Sequence, residues 1–170
     1  AFPAQLEAAL RKRGHAITVI NAGVSGDTSA GGRSRIDWAL GATPPPDVAI
    51  VALGANDGLR GIEPAVMHDN LDAILKALRA AKVPALIAGM KAPRNFGPGY
   101  MQEFEAIFPS LAAKYNALHY PFFLDGVALN PVLNQGDGIH PNERGVKKMV
   151  TGIMPLVERL LIRVERKGAL

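Results

Sequence analysis

The chain has no cysteine, which excludes disulfides, thiolate metal sites and a cysteine nucleophile. Aromatic residues are scarce, at 6% of the composition, and offer little on which nucleic-acid bases could stack. No apolar run exceeds the length of a strand, so nothing reads as a membrane-spanning helix and no stable membrane insertion is expected. The first residues read as a helix and not as a secretory leader, although a processed chain would look the same, so the compartment stays open. Charge of one sign is also lacking. Nineteen basic residues against 15 acidic ones leave a net +4, and the basic residues fall in groups: Arg11-Lys12-Arg13, Lys147-Lys148 and the run 163–167. Most lie on expected helices, which is the pattern of solvated helix faces and not of a nucleic-acid footprint.

What is present is 48% apolar residues in 170, ample for the core of one domain. No repeat, low-complexity tract or linker interrupts it, so residues 1–170 read as a single domain. Short apolar runs alternate with helical patterns, which predicts an α/β fold with a mostly parallel sheet. Phe2, Leu6, Ala9 and Leu10 predict a first helix that ends at Gly14. Strands are expected at 17–20, 48–53, 85–88 and 119–123. Between them, a helix at about 32–40 turns Ile36, Trp38 or Leu40 inward. A second opens at Glu63-Pro64 with Met67, Leu71, Ile74, Leu75 and Leu78 on one stripe. A third carries Met101, Phe104, Ile107, Phe108 and Leu111, and Pro109 is expected to kink or interrupt it. The stretch 124–140 is long and irregular, and a last helix runs from about 142 to 164.

Three segments carry the candidate chemistry. In Asp137-Gly138-Ile139-His140-Pro141 a carboxylate three residues before a histidine can reach back to Nδ1, fixing the tautomer and leaving Nε2 as a base. The plainer reading is an Asp-Gly turn and a helix cap with His140 merely exposed. In Gly54-Ala55-Asn56-Asp57-Gly58, Asn56 follows a buried strand, where open α/β sheets bind ligands, and its amide can donate to an oxyanion. Asn56-Asp57-Gly58 is equally ordinary turn chemistry. In Ser25-Gly26-Asp27-Thr28-Ser29, Gly26 can offer its N–H to a ligand. Asp27, Thr28 and Ser29 are also natural helix caps, and the loop can hold a phosphate. His15, His68 and His119 have no carboxylate at a useful spacing and read as structural or exposed. No third or fourth ligand accompanies Asp137 and His140, so a metal site is not expected.

In this order the segments resemble the SGNH (GDSL) hydrolases, in particular bacterial arylesterases and acyl-CoA thioesterase–lysophospholipases. Val19-Ile20-Asn21-Ala22 leading into Ser25–Ser29 is similar to that family's second block. Leu53-Gly54-Ala55-Asn56-Asp57-Gly58-Leu59-Arg60-Gly61 is similar to its third, with Ala55 where a glycine is common. Asp137-Gly138-Ile139-His140-Pro141-Asn142 is similar to its fifth. Phe2-Pro3-Ala4-Gln5-Leu6 and Tyr120-Pro121-Phe122-Phe123 match connecting elements, so the likeness covers about residues 2–161. The resemblance implies a three-layer α/β/α sandwich with a flavodoxin-like sheet, ordered 2-1-3-4-5. It implies His140 as general base, Asp137 as its orienting partner, and Gly26 and Asn56 as oxyanion donors. It further implies a small acyl ester or thioester substrate, an acyl-enzyme, no metal or organic cofactor, and a periplasmic or secreted location.

The family's first block, which carries the nucleophilic serine in a Gly-Asp-Ser-Leu-like turn, has no counterpart here. Gly26-Asp27-Thr28-Ser29 looks similar, but its neighbours assign it to the second block, so neither Ser25 nor Ser29 is taken as nucleophile. The strand that goes with the missing block is central in the implied sheet. Its absence would separate 17–20 from 48–53 and leave backbone groups unpaired, at about 1–3 kcal/mol each. The expectation is therefore that the 170 residues are N-terminally incomplete or that something else supplies the strand. Two other readings stay open: an inactive relative that binds ligands without a nucleophile, and a flavodoxin-like phosphate or nucleotide binder using Ser25–Ser29.

Overall fold

Three of the four expected apolar runs become strands, and the reason lies in which of them have neighbours. The structure, a computed structural model, describes residues 1–168, with side chains through residue 164. The basic run 163–167 thus lies, from residue 165 on, outside the described side chains. The elements are α1 (Phe2–Lys12), α2 (Ser29–Leu40), β1 (Ala49–Val51), α3 (Ala55–Leu59), α4 (Pro64–Ala80), β2 (Ala85–Ala88), a 3₁₀ turn (Arg94–Phe96), α5 (Gly97–Tyr115), β3 (Leu118–Tyr120) and α6 (Glu143–Gly168). Contacts within the chain divide it into two units. The first is Ala1–Ala22 with Phe123–Pro155, and the second is Gly23–Phe122 with the residues from Leu156 onward.

The second unit holds the sheet. Its strands run parallel in the order β1-β2-β3, with Ala49 opposite Ala85, Val51 opposite Ile87, and Leu86 opposite Leu118. These are the last three strands of the expected order. Parallel neighbours need a crossover, and helices supply it: α3 and α4 between β1 and β2, α5 between β2 and β3. Every residue of β2 is buried, as a central parallel strand requires. Ala85 and Ile87 join one cluster with Met67, Leu71, Ile74, Leu75 and Leu78 of α4 and Phe104, Ile107, Phe108 and Leu111 of α5. Each large side chain buried there contributes about 1.5–3 kcal/mol.

Ile36 and Leu40 of α2 pack against this cluster, whereas Trp38 is 69% exposed. A spacing of four keeps 36 and 40 on one helix face, and 38 falls nearly opposite. Pro109 does not interrupt α5, which runs on to Tyr115 and ends at Asn116 in the left-handed region (φ 51°). Pro109 is exposed, so water can replace the helix bond it forgoes. The last strand is Leu118–Tyr120, shorter than the expected 119–123 and shifted by one residue.

In the first unit, α1 buries Leu6 and Leu10, and Phe2 meets Phe123 edge to face at 4.9 Å between centroids. Met149, Val150, Ile153 and Met154 are the buried face of the first part of α6. Residues 17–20, expected as a strand, are not one. Their burial still alternates, with Ile17 and Val19 half-buried and Thr18 and Ile20 exposed, but no ladder forms beside them. Side chains of α1 take the backbone groups instead. Arg11 Nε donates to the Ile17 carbonyl at 3.0 Å, and the Val19 N–H donates to Glu7 Oε2 at 2.6 Å. A strand is defined by its partner, and among the described residues this run has none.

Candidate active site

In the first unit the turn 134–142 builds a histidine–carboxylate pair. The Asp137 carboxylate works with both oxygens. Oδ1 accepts the backbone N–H groups of Ile139 (2.9 Å) and His140 (3.0 Å), and Oδ2 lies 2.7 Å from His140 Nδ1. Gly138 makes this possible by taking φ +72°, a left-handed value that folds the chain back within three residues. The turn is closed by the Gln135 N–H on the His140 carbonyl at 2.7 Å and by an antiparallel bridge between Asn134 and Pro141. Buried Asn134 donates to the carbonyls of Val127 and Asn130, both at 2.8 Å. Asn142 donates to Val132 and Asn134, and its Oδ1 accepts the Gly145 N–H at 3.0 Å at the start of α6.

These bonds bear directly on the charge of Asp137. The His140 backbone N–H first, then the His140 side chain and the Ile139 N–H, hold its carboxyl down from 3.8 to about 2. The group is an anion throughout the neutral range, and with Nδ1 engaged, Nε2 is the ring nitrogen left to exchange a proton. His140 and Asp137 are both exposed.

The second unit places Gly26 and Asn56 side by side. Asn56 is not in a turn, as expected, but in the one-turn helix α3 that follows β1. Its Nδ2 donates to the Asp27 carbonyl at 2.9 Å, and Arg60 Nη2 donates to the preceding carbonyl, that of Gly26, also at 2.9 Å. Gly26 is exposed at φ +76°. Arg35 pairs with the Asp27 carboxylate and also donates to the Gly31 carbonyl at 3.2 Å.

Beneath lies a network that sequence reading missed. Asp57, wholly buried, accepts the Ser29 N–H at 2.8 Å and the Ser29 hydroxyl at 2.5 Å. Buried Asn70 donates to Ser29 Oγ at 3.1 Å, and Arg33 reaches Asn70 Oδ1 at 3.4 Å. Ser29 was expected as a helix cap. It is the first residue of α2, and the capping group is instead the carboxylate of Asp57, brought from 28 residues away. The only hint in the sequence was Asp57 itself, a charged residue directly behind a buried strand. Ser25 is exposed in the turn before Gly26.

The other histidines stand apart from this chemistry. His68 does meet a carboxylate, its exposed neighbour Asp69 at 3.2 Å. His119 is half-buried, its Nε2 has no hydrogen-bond partner, and burial pulls its pKa below the usual value. A groove of about 510 Å³ beside the first residue of β2, lined by Leu75, Arg79, Val83, Tyr115 and Arg163 among others, contains none of the candidate residues. Among the described residues no cluster of three metal-ligating side chains occurs, and no helix is long and apolar enough to cross a membrane.

Comparison with known proteins extends this picture. The profile of the GDSL-like Lipase/Acylhydrolase family matches residues 1–148. Esterase TesA of Pseudomonas aeruginosa is 37% identical over 158 residues, which are 93% of this chain and 78% of that protein. Thioesterase 1/protease 1/lysophospholipase L1 of Escherichia coli K12 is 42% identical over 125 residues, covering 74% of this chain and 60% of that protein. The crystal structure of AlinE4, an SGNH-hydrolase family esterase, superposes with a TM-score of 0.78 at 48% identity, over 95% of this chain and 86% of AlinE4. The chain therefore belongs to the GDSL-like lipase/acylhydrolase family, and by that resemblance it is an ester or thioester hydrolase.

Proposed function

We propose that the protein hydrolyses carboxylic esters or thioesters through a serine-bound acyl-enzyme, with His140 as the general base. The observation that carries this reading is the 2.7 Å contact between Asp137 Oδ2 and His140 Nδ1, made by a carboxylate that two backbone N–H groups hold in place. In this scheme His140 Nε2 takes the proton of the attacking serine and later returns it to the leaving alcohol or thiol. Asp137 keeps the ring in the right tautomer and stabilises the imidazolium formed in between. The Gly26 N–H and the second N–H of the Asn56 amide donate to the developing oxyanion, and water then releases the acid. His140 supplies the base and the amide donors supply the positive potential, so the scheme needs neither a metal nor an organic cofactor.

The nucleophile is assigned to a serine outside residues 1–170. Ser29 is unsuited to the role, because it is buried and its hydroxyl is given to Asp57. The same observation supports a second reading for these 170 residues taken alone, namely ligand binding without turnover. Phosphate binding at residues 25–29 is disfavoured. The N–H groups of Thr28 and Ser29 already point at the carboxylates of Asp27 (3.1 Å) and Asp57 (2.8 Å), whose charge repels another anion.

The test is a fluorophosphonate probe applied to the full-length protein, with and without His140→Ala. One serine adduct in the parent, lost together with a roughly 10⁴-fold fall in ester turnover in the variant, is the expected result. Undiminished hydrolysis in His140→Ala overturns the assignment. A folded parent that binds esters without labelling or turnover would establish the second reading.

A further inference from the structure

Loop 54–62, which carries Asn56, meets α5 through its glycines. A methyl group on Gly54 would come within 3.1 Å of Phe108 Cζ, one on Gly58 within 3.3 Å of Phe104 Cε2 and 3.2 Å of Pro93 Cδ, and one on Gly61 within 2.7 Å of Phe96 Cε1. A hydrogen leaves room at each point, and any larger group would push either the loop or a ring. The three rings belong to one row. Phe96, Tyr100, Phe104 and Phe108 recur every four residues, so they line one face of α5 and of the 3₁₀ turn before it. Successive centroids are 5.0, 5.9 and 5.7 Å apart, inside the range in which aromatic pairs attract. Tyr100, the ring that meets no glycine, uses its hydroxyl instead and donates to the Ile62 carbonyl at 2.7 Å. Each ring of the row therefore touches the loop at a different residue, 61, 62, 58 and 54 in turn.

Asn56 lies between two of these contacts. The Gly58 N–H bonds the Gly54 carbonyl at 3.0 Å, closing the single turn in which Asn56 sits, and both glycines rest on buried phenylalanines. Phe104 and Phe108 are rigid and fully enclosed, so they define a fixed surface for the loop. We infer that the aromatic row of α5 is the positioning device for the Asn56 amide: Phe104 sets the height of the loop through Gly58, and Tyr100 fastens its far end through Ile62. This rests on the reading of Asn56 as an oxyanion donor. Tyr100 and Phe104 are positioning residues, acting through the loop without touching substrate. A donor aimed at a transition state needs a fixed location more than it needs strength, and four contacts over nine residues supply one.

Tyr100→Phe removes one hydroxyl and leaves the ring. In the full-length enzyme acting on a short aryl ester, kcat is expected to fall about five- to tenfold, the worth of one neutral hydrogen bond expressed as a rate, with KM unchanged. Gly58→Ala is expected to lower kcat further, about 10- to 100-fold, as a misplaced oxyanion donor does. Phe104→Leu introduced into the Gly58→Ala protein should restore part of that loss, because it removes the two ring atoms the methyl meets and leaves only Pro93 Cδ against it. A readout free of turnover is the side-chain amide signal of Asn56 in a ¹⁵N spectrum. Its exchange with water should quicken in Tyr100→Phe as the bond to Asp27 loosens. Unchanged amide exchange and unchanged kcat in both single variants, with only the melting temperature lowered, would overturn the inference and leave the row as core packing. Quickened exchange with unchanged kcat would uphold the positioning and overturn only the oxyanion role of Asn56.

Discussion

The two regions that carry the candidate chemistry are built in opposite ways. The Asp137–His140 turn is exposed and local: the pair is three residues apart, and the bonds that shape it stay within residues 127–145. The Gly26–Asn56 region is tied by the half-buried Asp27–Asn56 bond, across 29 residues, and stands on the buried bonds Ser29–Asp57 and Ser29–Asn70, across 28 and 41. A local turn can be made correctly with little help from the rest of the fold. A network of buried polar groups is right only when several elements are already in place, and it is costly when one member is missing. The first region should therefore respond to mutation mainly in activity, and the second in both activity and stability.

The sharpest way to break this contrast is Asp137→Asn. Ester turnover in the full-length enzyme is expected to fall by roughly 10⁴-fold, because an amide favours the wrong tautomer of the histidine. Stability should show a pH signature of definite sign. The folded-state pKa of Asp137 is lowered from 3.8 to about 2, so its contribution is complete above the unfolded value and is lost as the pH falls through the folded one. The melting temperatures of parent and variant should accordingly converge between about pH 4 and pH 2. A difference that is constant with pH would show that the charge of Asp137 adds nothing to stability.

Asp57→Ala is the next largest perturbation and tests the other region. It strands the Ser29 N–H and hydroxyl in a buried site, at an expected cost of about 3–5 kcal/mol, or roughly ten degrees in melting temperature. A loss under 1 kcal/mol in urea unfolding would mean that water enters and the network is not closed. Asn56→Ala should separate the two properties within this region. Its one bond to the Asp27 carbonyl is worth about 1 kcal/mol, whereas kcat should drop by about 10²–10³. The smallest effect is predicted for Leu129, which is 91% exposed and holds φ +62°, a left-handed value that a side chain disfavours. Leu129→Gly should raise stability by about 0.5–1 kcal/mol without altering turnover, as read by thermal denaturation and ester hydrolysis.

The same contrast explains what could be read in the sequence. Helices and strands whose partners recur at short, regular spacing were legible: the stripe Met67 to Leu78 of α4, the buried β2, and the Asp137–His140 pair all follow from local pattern. Residues 17–20 carry the right residues for a strand, but pattern records only that one face is apolar and says nothing of whether a neighbour is there to bond. Trp38 illustrates the same limit, since hydrophobicity nominated it and helix geometry turned it outward. The Ser29–Asp57–Asn70 network was invisible for a stronger reason. Each of its members has an ordinary local role, as cap, turn or helix-surface residue, and only the assembled fold gives them one another. Gly58 reads as part of an ordinary Asn-Asp-Gly turn, and the contact of Gly54, Gly58 and Gly61 with the rings of α5 belongs to the tertiary structure alone.

The sequence separations of these bonds also imply an order in time. A contact across three residues closes almost as soon as the chain can bend, whereas one that joins Ser29 to Asn70 must wait for the crossover between β1 and β2 to be paid out in lost chain freedom. During refolding the Asp137–His140 turn is expected to assemble early, and the Asn56 loop to be among the last parts to settle. Recovery of turnover would then lag recovery of helical signal, because the proposed scheme requires the Asn56 amide in its place.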